Sequence, residues 1–391
     1  MRRVYFDNNA TTPLLPEVFD AMKPYLLEQY GNASSIHRDG QQARAAVDRA
    51  RDSVARLLGS TAGEIVFASG GTEADNLALF GTAAEGDHII TSEVEHHAIL
   101  HACNRLEQLG CRVTYLPVDG HGLVNPDDVR RALRPATKLI TVMMANNETG
   151  VLQPVEEIGK IALAANVKFH TDAVQAAAKT IIDVNKIHCD LLSISGHKIH
   201  APKGVGALYV RKGTALQPIL YGGSHERSRR AGTENVPGIV ALGKASEMAV
   251  EGLRNASIGN IALMRDRLEQ TLLSQTDSMG VNGAGAPRVP NTTNLYFDSI
   301  DGEALVIALD LRGLAVSGGA ACSSGATEPS HVLTAMGLGP DRARASVRFS
   351  LGKQNTPEDL DYALALIPET VARLRALSPV YNRNKRLALS H

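Results

Sequence analysis

One lysine, Lys198, follows a predicted strand closely enough to act as a nucleophilic amine. Lys198 ends the segment Ser195-Gly196-His197-Lys198, directly after the apolar run at 190–194. An amine fixed at the carboxyl end of a strand can form a Schiff base with an aldehyde cofactor. An isolated lysine is more often a surface charge. Here Gly196 permits a tight turn, and Ser195 and His197 offer donors to an anion, so the context favours a cofactor-binding lysine.

An aspartate and a glutamine follow the predicted strand at 167–171. Asp172 at this position can simply cap a following helix, and the segment alone leaves that alternative open. Beside a Schiff-base lysine, a carboxylate facing a pyridine nitrogen keeps the ring protonated and able to accept electrons. Gln175 is then placed to hydrogen-bond the phenolic oxygen of the same cofactor.

A glycine-rich turn between the predicted strand at 64–68 and a predicted helix indicates an anion site. Gly71 and Thr72 lie in this turn, where exposed N–H groups and a helix N-terminus attract a phosphate. The pattern Gly-Gly-Thr is by itself weak and is often only a turn. The arginine-containing stretch at 229–235 could add phosphate donors, or its arginines could be solvated surface charge.

Three further side chains suit a ring cofactor or an amino-acid substrate. A histidine after the strand at 88–91 can stack on an aromatic ring or shuttle protons, although a lone histidine is more often structural. Of the adjacent pair, the resemblance described below favours His96. Arg348 lies in the alternating segment 346–350, where its guanidinium fork suits a carboxylate and an edge-strand charge is the alternative. Asn147 could assist near the carboxylate and the ring.

The four cysteines lie far apart, without a CxxC pair. The spacing indicates neither a disulfide framework nor a zinc site, so we expect free thiols and no metal. Cys103, Cys111 and Cys189 lie within or beside apolar patterns and are interpreted as small core residues. Cys322 instead has small, flexible neighbours, which favours a nucleophilic thiol on an exposed loop over an incidental one.

The elements that must position these residues alternate between short apolar strands and amphipathic helices. From about 64 to 210 this alternation predicts an α/β fold, a large doubly wound, mostly parallel sheet with helices on both faces. After about 255 the pattern changes to a smaller α+β domain. We therefore expect a large domain at 14–255 and a small domain built from both chain ends, 1–13 and 256–391, which carries the Cys322 loop. Ligands of such sheets bind beyond the carboxyl ends of the strands.

Composition narrows the class of protein. The 391 residues carry 40 basic and 41 acidic side chains, a net charge of −1 that does not favour a nucleic-acid or anionic-membrane surface. No apolar run approaches the roughly 20 residues of a membrane span, and the N-terminus has no signal-type apolar core. The sequence predicts a soluble, cytoplasmic globular protein.

Taken together and in order, the segments resemble the cysteine desulfurases of the NifS/IscS group, in the class V aminotransferase superfamily. The matching segments are DNNATT (7–12), GNASSIH (31–37), GGTEADN (70–76), EHHA (95–98), ANNETGVLQP (145–154), HTDAVQ (170–175), SGHKIHAPKGVGALY (195–209), RRAGTEN (229–235), ACSSGATEPSHVL (321–333) and VRFSLG (347–352).

The resemblance implies a pyridoxal 5'-phosphate enzyme that converts L-cysteine to L-alanine and leaves the sulfur on Cys322 as a persulfide. An iron–sulfur scaffold protein or a sulfur carrier would accept it. The resemblance also implies a homodimer in which Thr233 binds the cofactor phosphate of the neighbouring subunit. The implied roles on matching positions are the Schiff-base lysine (Lys198), the pyridine-nitrogen and phenolic-oxygen partners (Asp172, Gln175), the ring-stacking histidine (His96), the phosphate ligands (Gly71, Thr72, Ser195, His197) and the carboxylate-binding groups (Arg348, Asn147 and, more weakly, Asn32).

Other functions on the same fold stay open. A selenocysteine lyase or a small-substrate aminotransferase is the nearest alternative, and a transaminase has no need of Cys322. A non-catalytic binding subunit is disfavoured because Lys198, Asp172 and Arg348 occur together. A nicotinamide oxidoreductase is disfavoured because no GxGxxG motif follows a first strand.

Overall fold

The computed structural model describes residues 2–255, 257–318, 329–378 and 381, with the backbone alone for residue 257. Cys322 therefore lies outside the described residues. The strands are β1 (Val4–Tyr5), β2 (Ile65–Ala68), β3 (His88–Ser92), β4 (Arg112–Leu116), β5 (Thr137–Thr141), β6 (Lys168–Asp172), β7 (Leu191–Ser195), β8 (Gly206–Val210), β9 (Met279–Asn282), β10 (Thr292–Phe297), β11 (Leu314–Ala315), β12 (Ser317–Gly318) and β13 (Ser346–Ser350).

The helices fill most of the remaining chain. They are α1 (Pro16–Leu27), α2 (Arg38–Leu58), α3 (Gly71–Phe80), α4 (His97–Gln108), α5 (Pro126–Ala132), α6 (Val155–Ala164), α7 (Val184–Ile187), α8 (Val236–Arg254), α9 (Ser257–Gln275), α10 (Gly302–Asp310), α11 (His331–Ala335), α12 (Pro340–Arg344) and α13 (Pro357–Leu377), with 3-10 turns at Ala62–Glu64, Gly196–Lys198 and His225–Ser228.

Within the described residues, seven strands form the large sheet in the order β2-β8-β7-β6-β5-β3-β4. The pairs from β7 through β4 are parallel, whereas β8 runs antiparallel to both of its neighbours. The central strands are buried along their whole length, as expected of strands that are covered by helices on both faces. The predicted large, mostly parallel α/β sheet is thus confirmed.

Helices α2 and α8 pack together on one face of this sheet. His37 caps the start of helix α2, where its ring accepts a hydrogen bond from Gly40 N. Gly59 follows the last residue of the helix with φ 68°, the left-handed conformation that glycine adopts without strain. A Cβ on Gly243 of α8 would lie 2.6 Å from Ala50 Cα. Small residues at this crossing therefore allow the two helices to approach closely.

A second, antiparallel sheet has the order β12-β13-β10-β9, and the short strand β1 pairs in parallel with β11. Its apolar cluster combines residues from both ends of the chain, including Phe6, Phe297, Val347 and Leu366. An isolated bridge from Asp7 to Ser350 extends the contact of the N-terminal segment with β13. The domain limits at 13/14 and 255/256 stay a prediction.

None of the described helices combines the length and the hydropathy that crossing a membrane requires.

Candidate active site

A cavity of about 330 Å³ opens at the carboxyl ends of the parallel strands. Because those ends meet at one edge of the sheet, side chains that are far apart in sequence become neighbours. The cavity is lined by the predicted site residues Gly71, Thr72, His96, Asn147, Asp172, Gln175, Ser195, His197, Lys198 and Arg348, together with Asn9, Ala10, Asp75, Met143 and Val174.

Lys198 reaches this cavity from the 3-10 turn that follows β7. Its Nζ donates hydrogen bonds to the carbonyl oxygens of Asn9, at 2.5 Å, and Ala10, at 2.8 Å. Gly196 makes the turn possible, because a Cβ there would lie 2.9 Å from Val205 Cγ1. The amine is therefore held at the cavity by backbone acceptors of the N-terminal segment.

The residues of that N-terminal segment are a part of the site that chemical reasoning from the sequence did not assign. The Asn9 side chain is buried; its Nδ2 donates to Thr292 Oγ1 at 2.9 Å and to Asn147 O at 3.2 Å. Thr11 Oγ1 contacts His197 Nδ1 at 3.1 Å. The run of polar residues at 7–12 was the available signal, but only folding brings it to β7.

Asp172 ends β6 as a buried carboxyl. Its Oδ1 accepts a hydrogen bond from Val174 N at 2.8 Å. Residues 174–179 form consecutive turns instead of the helix that the alternative interpretation required. Burial raises the pKa of Asp172 to about 6, although the hydrogen bond and the charge of Lys198 oppose that rise. A cationic group in the cavity would therefore strongly stabilise the ionised form of Asp172.

A second carboxyl, Asp75 of α3, lines the same cavity and was not predicted. Its side chain is almost fully buried. Burial, and then the negative charge of Asp172, raise the pKa of Asp75 well above the usual range. A buried carboxyl next to a second negative charge ionises only at high cost, so an ionised Asp172 favours the protonated form of Asp75.

Both predicted histidines are neutral groups at physiological pH. His96 caps α4 by accepting a hydrogen bond from Ala98 N at its Nδ1, so its Nε2 carries the proton. Burial, followed by repulsion from Lys198, lowers the pKa of His96 to about 4. The same two causes lower the pKa of His197 to about 4. His96 can therefore offer a ring face and an N–H without adding charge.

The predicted anion-binding residues lie together at the start of α3 and the end of β7. Gly71 is the first residue of α3, and a Cβ there would lie 2.8 Å from Val174 Cγ2. Thr72 is exposed in the first turn, and Ser195 is buried at the strand end. The absence of a side chain at Gly71 lets the start of α3 approach Val174 and Ser195 at the cavity, and the N-terminus of a helix is suited to a phosphate.

Arg348 enters the cavity from β13 of the second sheet. It is buried; its Nη1 donates to Asn147 O at 2.9 Å and its Nη2 to Asp7 Oδ1 at 2.8 Å. Among the described residues, its buried Nε has no hydrogen-bond partner. A guanidinium held in this way, with a donor unused, is suited to a carboxylate ligand.

Two predicted residues do not line this cavity in the described chain. Asn32 is exposed, and its Oδ1 accepts a hydrogen bond from Ser34 N at 2.9 Å. Thr233 is also exposed, in the segment before α8. The roles of both residues, like that of Cys322, stay predictions.

The described cysteines lack the properties of a reactive thiol. Cys103, Cys111 and Cys189 are buried free thiols, and burial raises the pKa of each, that of Cys189 to about 12. Thiolate is the nucleophilic form of cysteine, so these side chains match their predicted place in the core. In the described part of the chain, no group of three or more His, Cys, Asp and Glu side chains could hold a metal ion.

Comparison with known proteins places the chain in a family. The Aminotransferase class-V family matches residues 4–363. The chain is 51% identical over 385 residues to the cysteine desulfurase of Trichormus azollae, with 98% of this chain and 96% of that protein covered.

Two solved structures share the fold. A NifS-like protein is 38% identical, with a TM-score of 0.88 and coverage of 95% of this chain and 100% of that one. SspA, solved in complex with cysteine, is 37% identical, with a TM-score of 0.80 and coverage of 90% and 99%. The chain therefore belongs to the class V aminotransferase family and, within it, to the cysteine desulfurases.

Proposed function

We propose that the cavity binds pyridoxal 5'-phosphate and that the chain is a cysteine desulfurase, which converts L-cysteine to L-alanine and leaves the sulfur on Cys322 as a persulfide. The observation that carries the proposal is one cavity with the amine of Lys198, the buried carboxyl of Asp172 and the guanidinium of Arg348. The name of the relative from Trichormus azollae and the cysteine complex of SspA support the same substrate.

The donor set fits this cofactor. Asp172 would pair with the protonated ring nitrogen, Gln175 with the phenolic oxygen, and His96 with the ring face. The phosphate would be held by the N-terminus of α3 with Gly71, Thr72, Ser195 and His197, and by Thr233 of a second subunit in a homodimer. When bound, the group supplies an electron-accepting ring conjugated with the substrate α-carbon.

Residues of the chain would bind the substrate and move its protons. Arg348, with Asn147 and Asn32, would bind the substrate carboxylate, which the unused Nε of Arg348 favours. Lys198, freed by the incoming amino group, would move the α-proton at its Nζ. Neutral His96 would donate or accept a proton at its Nε2.

The sulfur transfer balances without an external oxidant. The thiolate of Cys322 attacks the substrate sulfur, so that an S–S bond forms as the bond between that sulfur and the substrate β-carbon breaks. The electron pair of the broken bond takes a proton at the β-carbon, which gives alanine. An iron–sulfur scaffold protein or a sulfur carrier would then take the outer sulfur in the cytoplasm, where thiols stay reduced.

The test of this function is the identity of the lysine that carries the cofactor. Borohydride reduction of the protein loaded with pyridoxal phosphate should attach the cofactor to the peptide of Lys198. Lys198→Ala should abolish the attachment and the release of alanine from cysteine, whereas Lys203→Ala, at an exposed lysine of the same loop, should retain both. Attachment to another lysine at the wild-type level would contradict the proposal.

A further inference from the structure

A second lysine lies beside the site without lining the cavity. Lys179 Nζ donates to Gln175 Oε1 at 2.6 Å and to Asn9 Oδ1 at 3.1 Å. It lines a separate crevice of about 90 Å³, which also touches Lys198. Lys179 thus contacts two residues that line the cavity and is positioned to act through them.

In the hydrogen bond between Lys179 and Gln175, the lysine amine is the donor. A protonated lysine side chain donates hydrogen bonds and accepts none, so the end of the Gln175 amide that faces Lys179 is its carbonyl oxygen. The amide nitrogen then lies at the opposite end, where Nε2 donates to Asn9 O at 2.8 Å. Asn9 is fixed in turn, because its Oδ1 also accepts from Asn291 Nδ2 at 3.1 Å.

The orientation does not depend on the charge of Lys179. Burial, then repulsion from Lys198 and Arg348, lower its pKa well below the ordinary value. A neutral amine still has two hydrogens for the oxygens of Gln175 and Asn9. Its lone pair could accept from a flipped Gln175 amide, but that flip would turn the amide oxygen toward the Asn9 carbonyl oxygen, which now accepts from Nε2. His200 faces the same crevice, and its pKa is lowered, mainly by burial.

We propose that Lys179 is a positioning residue, which fixes the Gln175 amide so that an N–H, and not a carbonyl oxygen, faces the phenolic oxygen of the bound cofactor. This inference rests on the proposed function. Without Lys179 the Gln175 oxygen would lose its donor, and only the bond from Nε2 to Asn9 O would still favour this orientation. The flipped amide would therefore become more populated. Two oxygens would then face each other at the cofactor ring.

The readout is the proton shared between the phenolic oxygen and the Lys198 nitrogen. A donor to that oxygen withdraws negative charge and so loosens the shared proton. Loss of the donor should raise the pH midpoint of the visible absorption of the cofactor-loaded protein. A single neutral hydrogen bond corresponds to about one pH unit and to about tenfold in the Kd for pyridoxal phosphate.

The decisive comparison uses two substitutions at one position. Lys179→Met removes the donor and the charge, and should shift the midpoint upward by about one pH unit and weaken cofactor binding by about tenfold. Lys179→Gln removes the charge and keeps an N–H donor, and should stay close to the wild type. Lys179→Ala, which also removes the donor, gives the same comparison if the methionine is not accommodated.

A double variant tests whether Lys179 acts through Gln175. Lys179→Met in a Gln175→Leu background should add no further shift, because the amide that it orients is gone. Additive shifts would overturn the inference, and so would a Lys179→Gln protein that behaves like Lys179→Met. A wild type that binds no pyridoxal phosphate would overturn the proposed function itself, before any Lys179 variant is compared.

Discussion

The buried carboxyl of Glu95 should make the stability of this protein depend on pH in a defined way. Glu95 follows β3 and is fully buried; its Oε1 accepts from Ser92 Oγ at 2.6 Å and from Met143 N at 2.9 Å. Burial raises the pKa of Glu95 from 4.5 to about 8, and the negative charge of Asp172 adds to this rise. The folded protein therefore holds a proton on Glu95 at neutral pH, whereas the unfolded chain does not.

The sign and the size of the effect follow from linkage. Since the pKa of Glu95 is higher in the folded state, its contribution to stability is complete below pH 4.5 and is lost as the pH rises through about 8. At about 1.4 kcal/mol per pH unit, the loss is on the order of 5 kcal/mol. The unfolding entropy of a 391-residue chain turns this into a change in Tm of about 6 °C.

The perturbation is Glu95→Gln in the cofactor-free protein, with Tm followed by circular dichroism from pH 5 to pH 9. Glutamine keeps an acceptor for Ser92 and Met143 but cannot ionise. About 4 kcal/mol of the Glu95 contribution is lost between pH 5 and pH 9, so the Tm of the variant should gain about 5 °C on that of the wild type between these pH values. Glu93→Gln, at an exposed neighbour, should show a constant difference. If the Glu95→Gln difference is also independent of pH, the assignment of a buried, protonated Glu95 is refuted.

Two further substitutions test the packing that supports the site. A Cβ on Gly159 would lie 1.7 Å from Ile187 O, so Gly159→Ala should cost about 3 kcal/mol or more, seen as lost soluble yield or a Tm lower by several degrees. Gly63→Ala, where no atom lies within 4 Å, should leave Tm nearly unchanged, and equal behaviour of the two variants would contradict the packing. Glu226→Gln breaks a buried two-bond ion pair with Arg51, at 2.6 and 2.7 Å, and should lower stability by about 3–5 kcal/mol in thermal denaturation. A change below about 1 kcal/mol would mean that the pair contributes little.

Much of the fold follows from local signals in the sequence. The apolar runs predicted as strands at 64–68, 88–91, 167–171 and 190–194 correspond to β2, β3, β6 and β7 within one or two residues, because such runs are long enough to be buried on both faces. The reversed direction of β8 does not follow from its composition. A five-residue buried strand has the same pattern in either orientation, and the connection through the turn after Lys198 decides between them.

The site was predictable where one residue carries the chemistry and lies at a strand end. Lys198, Asp172 and Ser195 were predicted in this way, and all three line the cavity; their roles stay predictions. Asn9 and Lys179 were not, because their importance comes from hydrogen bonds to residues more than a hundred positions away or to a side chain already in the site. Asp75 and Glu95 look like ordinary helix or loop carboxyls until burial changes their proton affinity.

The most direct test of the central claim follows the sulfur of the substrate. The wild type should be loaded with pyridoxal phosphate and given sulfur-labelled L-cysteine without a reductant, and each cysteine peptide should then be analysed for label while alanine is measured. The account predicts about one alanine per labelled protein, with the label on the Cys322 peptide, neither product from Cys322→Ala, and both from Cys111→Ala. Alanine formed by Cys322→Ala at the wild-type rate, or label on the peptide of Cys103, Cys111 or Cys189, would contradict it.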